Sequence, residues 1–168
     1  MLATSIPDWC IEQLVAWGTS VGMESFRDDS RDGGLTVVLA GKVLVVDVDF
    51  SIDRGDPLKP VLQIANVKSQ NALLSGPSNN STSILLDSFL ADALKDYCSE
   101  MQKGDEYRDP LRAAGLRKRV LDHLRYLVLL DGLASRKEDG GIRWFTDVDE
   151  LCPTLRDLAK SEAEAVAS

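Results

Sequence analysis

The length and composition of this chain are those of a globular domain. Its 168 residues are 44% hydrophobic and 27% charged, which excludes a disordered or fibrous chain and is enough for a buried core. Acidic residues outnumber basic ones 27 to 19, and the net charge of −8 argues against broad attraction to nucleic acid or anionic lipid.

The beginning of the chain predicts a helix followed by a loop. Pro7 and Asp8 favour a helix start, and apolar residues recur at helical spacing up to about Gly22. The polar run from Arg27 to Gly34 has turn chemistry and no apolar period, so we predict a loop there.

Three strands are predicted next, from runs rich in β-branched and aliphatic residues: Leu35 to Ala40, Val43 to Phe50 and Val61 to Val67. The segment Ala40-Gly41-Lys42 is short enough to join the first two as a hairpin. In the third run we predict strict alternation, with Val61, Gln63, Ala65 and Val67 on one face and Leu62, Ile64 and Asn66 on the other.

A polar stretch from Ser75 to Ser83 contains no apolar residue and divides the chain. Ser83 is suited to cap a second helix that runs to Met101 with a wide apolar face. Polar residues are predicted on its opposite, solvated face: Asp87, Asp92, Lys95, Asp96 and Glu100.

Two further helices are predicted. Gly104 ends the second helix, and Asp109-Pro110 is a capping residue followed by proline, a combination that opens a third helix running to about Ser135. Thr146 is suited to open a final helix. Apolar residues of that helix share one face: Val148, Leu151, Leu155 and Leu158.

We therefore predict one α+β domain over residues 1–168. Residues 1–74 hold a helix and antiparallel strands, residues 75–83 a polar linker and residues 84–168 a helical part. In all, a small antiparallel sheet of about three strands is expected to pack with about four helices.

The three cysteines, Cys10, Cys98 and Cys152, lie far apart with no C-x-x-C pair and no secretory leader before them. We expect reduced thiols in apolar stripes. No apolar run approaches the ~20 residues that a transmembrane helix requires. A cytosolic or nuclear protein without membrane contact is expected.

Asp47, Asp49 and Asp53 provide the strongest indication of an enzyme. On a strand, Asp47 and Asp49 would point to the same side and could share a hard cation, as in metal-assisted nucleotidyl- or glycosyl-transferases. No glycine-rich phosphate loop or basic clamp accompanies them. The opposite side of the strand is continuously apolar, so the aspartates are interpreted as the solvated face of the sheet, and the transferase is the alternative function.

His123 and a basic run are the other candidates. His123 is the single histidine and lies mid-helix among leucines, which favours a structural role over a catalytic base. The run from Arg117 to Arg119, with Arg112 and Arg125, suits an acidic protein partner better than nucleic acid, because no aromatic residues are interleaved for base stacking. No catalytic residue, cofactor or metal site is predicted.

Wide apolar stripes on several helices exceed what three short strands can cover, so one stripe is expected to bind a partner. Two helices offer such a stripe. The candidates are Phe89, Leu90, Leu94 and Tyr97 on the second helix and Leu151, Leu155 and Leu158 on the last.

The order of elements resembles a known family. Leu35-Thr-Val-Val-Leu-Ala-Gly-Lys-Val-Leu-Val-Val-Asp-Val-Asp-Phe50 is similar to the "L-x-hydrophobic-A-G-K" hairpin of Mediator subunit 1 in its fungal form. Leu86 to Leu94 resembles that family's helix after the polar linker. Leu121 to Leu133, with Leu130-Asp131-Gly132-Leu133, resembles its "L-x-x-L-x-x-L-D-x-L" segment, and Trp144-Phe145 with Leu151 to Leu158 occupies the place of its next helix.

This resemblance runs from about Val21 to Leu158 and implies a non-enzymatic nuclear subunit of the Mediator middle module. Such a subunit would contact other middle-module subunits and transcriptional activators, relay regulatory signals to RNA polymerase II, and make no direct contact with nucleic acid. The chain is shorter than usual for the family and lacks its receptor-docking boxes. Contact with neighbouring subunits is therefore the expected role.

Overall fold

In the computed structural model, residues 5–29, 34–71, 83–136 and 143–167 are described, without the side chains of residues 143–149. The elements in chain order are α1 (Ile6–Ser20), β1 (Glu24–Asp28), β2 (Leu35–Ala40), β3 (Leu44–Asp53), β4 (Val61–Asn71), α2 (Ile84–Met101), α3 (Pro110–Ala134) and α4 (Arg143–Ala167). The four strands form one antiparallel sheet in the order β1-β2-β3-β4. The predicted α+β class is confirmed, with one strand more than expected.

The additional strand, β1, corrects the predicted loop at its start. Arg27 and Asp28 belong to β1, where they pair with Val37 and Thr36 of β2. Neither apolar alternation nor β-branching marks this segment, and its single aromatic residue, Phe26, is exposed. Backbone pairing with β2 therefore overrides a sequence that indicates a turn. Residues 30–33 of the predicted loop lie outside the described residues.

A β-bulge in β4 corrects the predicted alternation. Asp49 of β3 is opposite Asn66, whereas the next residue, Phe50, is opposite Ile64, so Ala65 is the extra residue. The extra residue reverses which side chains face the core. Val67 is consequently buried on the same face as Leu62 and Ile64, although strict alternation assigned it to the opposite face.

The helix starts follow their capping residues. The Ser83 hydroxyl accepts a hydrogen bond from the Leu86 N–H at 3.2 Å, and the Asp109 carboxylate accepts one from the Leu111 N–H at 2.9 Å, as predicted. The last helix begins at Arg143, three residues before the predicted Thr146. The predicted linker, apart from Ser83, lies outside the described residues.

The core lies between one face of the sheet and the helices. α1 packs on β1 and β2, α2 packs on β4, and α3 packs on α2. One cluster of buried side chains joins residues from all of these elements, for example Leu14 of α1, Val46 of β3 and Leu124 of α3. Both halves of the chain on either side of the predicted linker contribute to this core.

The second helix is central to that core, which corrects part of the predicted partner surface. Leu90, Leu94 and Tyr97 are only 1%, 1% and 3% exposed. Because α2 lies between β4 and α3, its apolar stripe is covered by the chain itself. These three residues stabilise the fold and are not available to a partner.

Glu100 is a second correction on α2, since it was predicted to be solvated and is buried at the α2–α3 junction. Its carboxylate accepts a hydrogen bond from the Asp109 N–H at 2.9 Å and pairs with Lys103 at 2.6 Å and Arg112 at 3.3 Å. The hydrogen bond from Lys103, followed by that from the Asp109 N–H, lowers the pKa of Glu100. The capping residue of α3 is thus held in place by the end of α2.

Polar side chains of α2 also bind the outer edge of β4. The Asp87 carboxylate accepts a hydrogen bond from the Ser69 N–H at 3.1 Å. The Gln102 amide accepts from the Leu62 N–H at 2.6 Å and donates to the Leu62 carbonyl oxygen at 3.0 Å. Two positions along this edge therefore have backbone groups satisfied by side chains.

One buried carboxylate attaches α3 to the β2–β3 hairpin. Asp131 is 4% exposed, and it accepts hydrogen bonds from the N–H groups of Lys42, Val43 and Leu44, each at 2.8 Å. Successive N–H groups of a tight turn form a concave site for an anion, and bonds to a charged acceptor are the stronger kind. A Cβ atom on Gly41 would lie 2.5 Å from the Asp131 Oδ2 atom, so only glycine permits this approach.

We expect Asp131→Ala to lower the free energy of unfolding by about 3 kcal/mol and the Tm by roughly 6–12 °C, because two buried N–H groups and one partly buried N–H group lose their acceptor. Gly41→Ala should also destabilise the chain, since the added methyl group displaces the carboxylate. Urea unfolding and thermal melts measure both changes.

The matched control for Asp131 is Asp122→Ala on the same helix. Asp122 is exposed, and its ion-pair partners among the described residues are Lys118 and Arg125 at the surface, so its replacement should leave the free energy of unfolding almost unchanged. Equal effects of the two alanine variants would contradict the role of Asp131.

Candidate partner-binding surface

The last helix carries an exposed row of leucines, which we call the α4 stripe: Leu151, Leu155 and Leu158. Their spacing places them on one face of α4, and they are 59%, 63% and 56% exposed. Although α4 contacts α2 and α3, every residue from 150 to 167 except Cys152 is exposed. The described part of the chain leaves this apolar face uncovered.

α4 also contains Pro153 within the helix. A proline there lacks the N–H that would bond the carbonyl four residues earlier, which costs about 3 kcal/mol or more. Most helical stability in proteins comes from packing of an apolar face, whereas from residue 150 to 167 every α4 side chain except that of Cys152 is exposed.

Phe89 is the one predicted partner residue of α2 that remains accessible, being 45% exposed. Its ring lies beside that of His123, with 6.4 Å between the ring centroids. Tyr126 and Leu129 of α3 are exposed large hydrophobic residues as well. The structure therefore separates the predicted partner residues into a buried group on α2 and an exposed group of Phe89 and the α4 stripe.

His123 is partly buried at the α2–α3 contact. Its Nε2 atom lies 3.2 Å from the carbonyl oxygen of Leu86, so this nitrogen is positioned to donate to the backbone. Burial lowers the pKa of His123, the bond to Leu86 opposes that effect, and the positive charge of Arg119 adds to it. The His123 imidazole is therefore packed and hydrogen-bonded within the chain.

The three aspartates of the alternative function are not brought together. Asp47 and Asp49 lie on the same face of β3, where Asp49 accepts a hydrogen bond from the Thr36 hydroxyl at 2.6 Å and Asp47 one from the Gln70 amide at 3.4 Å. Asp53 binds the Gly55 N–H at 2.9 Å. Four residues of strand separate Asp53 from Asp49 by roughly 13 Å, too far for a shared cation.

The described residues lack both a cluster of metal-ligating side chains and a helix able to span a membrane. Among these residues, no group of three or more His, Cys, Asp or Glu side chains could hold a metal ion. None of the helices in the same part of the chain has the length and apolar character needed to cross a bilayer.

Most of the basic run on α3 is paired with the chain's own carboxylates. Arg119 pairs with Asp96 of α2 at 3.2 Å, and Lys118 and Arg125 share Asp122. Arg117 forms no ion pair within the described part of the chain. The cations of this run therefore differ in whether a carboxylate of the described residues already pairs with them.

Arg117 lines a groove that sequence reasoning missed. The groove lies between α1 and α3, and we name it the α1–α3 groove; the residues used below are Trp9, Met101, Arg117, Lys118, Leu121 and Arg125. Its walls come from three helices far apart in the sequence, so no local pattern indicates it. One signal was present: Arg117 alone in the run from 117 to 119 has no acidic residue three or four positions away.

Compared with models of known protein families the chain matches none, and a search of curated proteins gives no significant match. Function is therefore inferred from the geometry of the described residues. The α4 stripe places three exposed leucines in one row on a helix face.

We expect the His123 imidazole to titrate below its ordinary pKa of 6.5, because burial disfavours the charged form. Just below pH 6.5 the unfolded chain then binds more protons than the folded chain, so the free energy of unfolding falls as the pH drops. NMR titration of the imidazole and urea unfolding between pH 5 and 7 measure the two effects.

Because His123 is the single histidine, His123→Gln provides the control. This variant should lack the part of the pH dependence just below pH 6.5. A titration midpoint at or above 6.5 would refute the prediction.

We expect Mg²⁺ and Mn²⁺ to leave the Tm unchanged, because Asp49 is bonded to Thr36 and Asp53 lies too far away to complete a site. Thermal unfolding with and without each ion is the measurement. A metal-dependent rise in Tm that Asp49→Ala abolishes, and Asp122→Ala retains, would restore the transferase alternative.

Proposed function

We propose that this chain is a non-enzymatic scaffold subunit of the Mediator middle module, located in the nucleus, that binds neighbouring subunits through the α4 stripe. In this role it relays regulatory signals to RNA polymerase II without chemistry of its own. The observation that carries the proposal is the uncovered leucine face of α4.

The physical argument for protein binding is the free energy available to the α4 stripe. Fully burying one leucine side chain gains about 1.5–3 kcal/mol relative to leaving it in water. Leu151, Leu155 and Leu158 are each more than half exposed, so a partner groove could recover much of that gain from all three. An amphipathic helix laid into an apolar groove is a recurrent mode of protein recognition.

The resemblance to Mediator subunit 1 supports this particular assembly. Two of the segments that carry the resemblance are in contact in the fold, which gives a physical reason for their residues. The Ala-Gly-Lys hairpin and the Leu-Asp segment meet where Asp131 binds the N–H groups of Lys42, Val43 and Leu44. Gly41 is needed for that approach. The small and acidic residues on which the resemblance depends are thus the residues that hold these two segments together.

The test is affinity purification of the tagged chain from a nuclear extract of its source organism, with identification of the co-eluting proteins. The wild-type chain is expected to retain Mediator middle-module subunits. A triple variant, Leu151→Asp with Leu155→Asp and Leu158→Asp, should lose them, because the charged side chains cannot enter an apolar interface.

The matched control changes three exposed apolar residues elsewhere: Leu58→Asp with Tyr107→Asp and Leu111→Asp. It adds the same negative charge and should retain the partners. Circular dichroism verifies that both triple variants remain folded. Purification of the wild type without any Mediator subunit would overturn the assembly, and full retention by the α4 variant would overturn the role of the stripe.

A further inference from the structure

The α1–α3 groove is a second surface that combines exposed apolar groups with a cation, and its described lining contains no residue of α4. Its volume is about 510 Å³, and its lining comes from α1, α2 and α3. The floor includes Trp9, Met101 and Leu121, which pack against the core but keep part of their surface accessible. Tryptophan and methionine are residue types enriched in protein interfaces, where they anchor apolar side chains of a partner.

The rim of the groove is positively charged. Arg117, Lys118 and Arg125 contribute three cations, and Asp122, which pairs with the last two, contributes one carboxylate, so the local sum is +2. The whole chain has a net charge of −8. A negatively charged ligand is therefore repelled by the protein as a whole and attracted at this rim, which favours one location and orientation of binding.

We infer that the α1–α3 groove binds an acidic amphipathic segment of a partner protein. Apolar side chains of the segment contact Trp9, Met101 and Leu121, and its carboxylates pair with Arg117 and with the shared cations of the rim. Arg117 is the principal contact, because within the described residues it forms no ion pair that would have to break first.

Two other occupants fit the groove less well. A nucleic acid backbone is bound through many phosphate contacts, and this rim has only one cation without an ion pair among the described residues. The α4 helix of a second copy is acidic, with six carboxylates against three basic residues over Arg143–Ala167, but the copy that carries it has a net charge of −8, so two copies repel each other as whole molecules. A separate acidic protein segment complements both the floor and the rim.

The inference uses residues of α1, α2 and α3 alone and does not depend on the proposed role of α4. It also holds for an assembly other than Mediator. Failure of the affinity purification and failure of the test below are therefore independent outcomes.

The test uses two fluorescein-labelled helical peptides with leucine and phenylalanine at i, i+3, i+4 and i+7 positions. One has glutamate at the remaining exposed positions, and the other has glutamine there. Fluorescence anisotropy with the full chain should give a Kd for the glutamate peptide about tenfold or more lower than for the glutamine peptide. NMR should show the Trp9 indole perturbed by the glutamate peptide and the buried Trp17 indole unchanged.

Arg117→Glu should weaken binding of the glutamate peptide by about tenfold or more, whereas Arg119→Glu, the same charge change on the same helix outside the groove lining, should stay within about twofold of wild type. Thermal melts verify that both variants remain folded. Equal losses of affinity for the two variants would overturn the inference, because net charge alone would then explain the binding. Equal affinities for the two peptides would also overturn it, because the carboxylates would then contribute nothing. The absence of binding up to ~1 mM peptide would overturn it as well.

Sedimentation velocity over a range of protein concentrations tests the second-copy occupant. We expect the wild-type chain and the Arg117→Glu variant to have the same state of association. A dimer that Arg117→Glu dissociates would assign the groove to a second copy and overturn the separate partner.

Discussion

The buried carboxylate of Asp131 is the interaction on which the arrangement of helices and sheet depends. α3 packs mainly on α2, and Asp131 gives it a direct, charge-assisted attachment to the β2–β3 hairpin through Lys42, Val43 and Leu44. The hairpin position therefore fixes the position of α3. Because α3 covers one side of α2, it also decides which apolar residues of α2 are removed from water.

This attachment determines which apolar surfaces of the helices are buried in the fold and which remain exposed. With α2 enclosed by β4 and α3, its buried leucines are used within the chain, and the exposed apolar groups of the helices include the α4 stripe, Phe89 and part of the α1–α3 groove. The helices thus offer two chemically different contacts. One is a row of exposed leucines, and the other is an apolar floor with a cationic rim.

Local signals in the sequence were sufficient for every element except β1 and insufficient for the environment of those elements. Capping by Ser83 and Asp109 was visible because it involves residues within a few positions of each other. The strand β1 and the bulge at Ala65 depend on pairing with distant strands and left no local pattern. Periodicity likewise predicted apolar faces on α2 and α4 alike; which face the fold covers is decided by tertiary packing, so Leu94 is buried while Leu155 is exposed.

The polar contacts along the outer edge of β4 have a consequence for how this chain can associate. Gln102 and Asp87 occupy positions where an incoming strand would bond, and the bulge at Ala65 interrupts the regular spacing between them. A second polypeptide therefore cannot readily extend the sheet on that side by strand addition, the route by which unprotected β-edges polymerise. At high protein concentration, this edge is therefore protected against fibril-like growth.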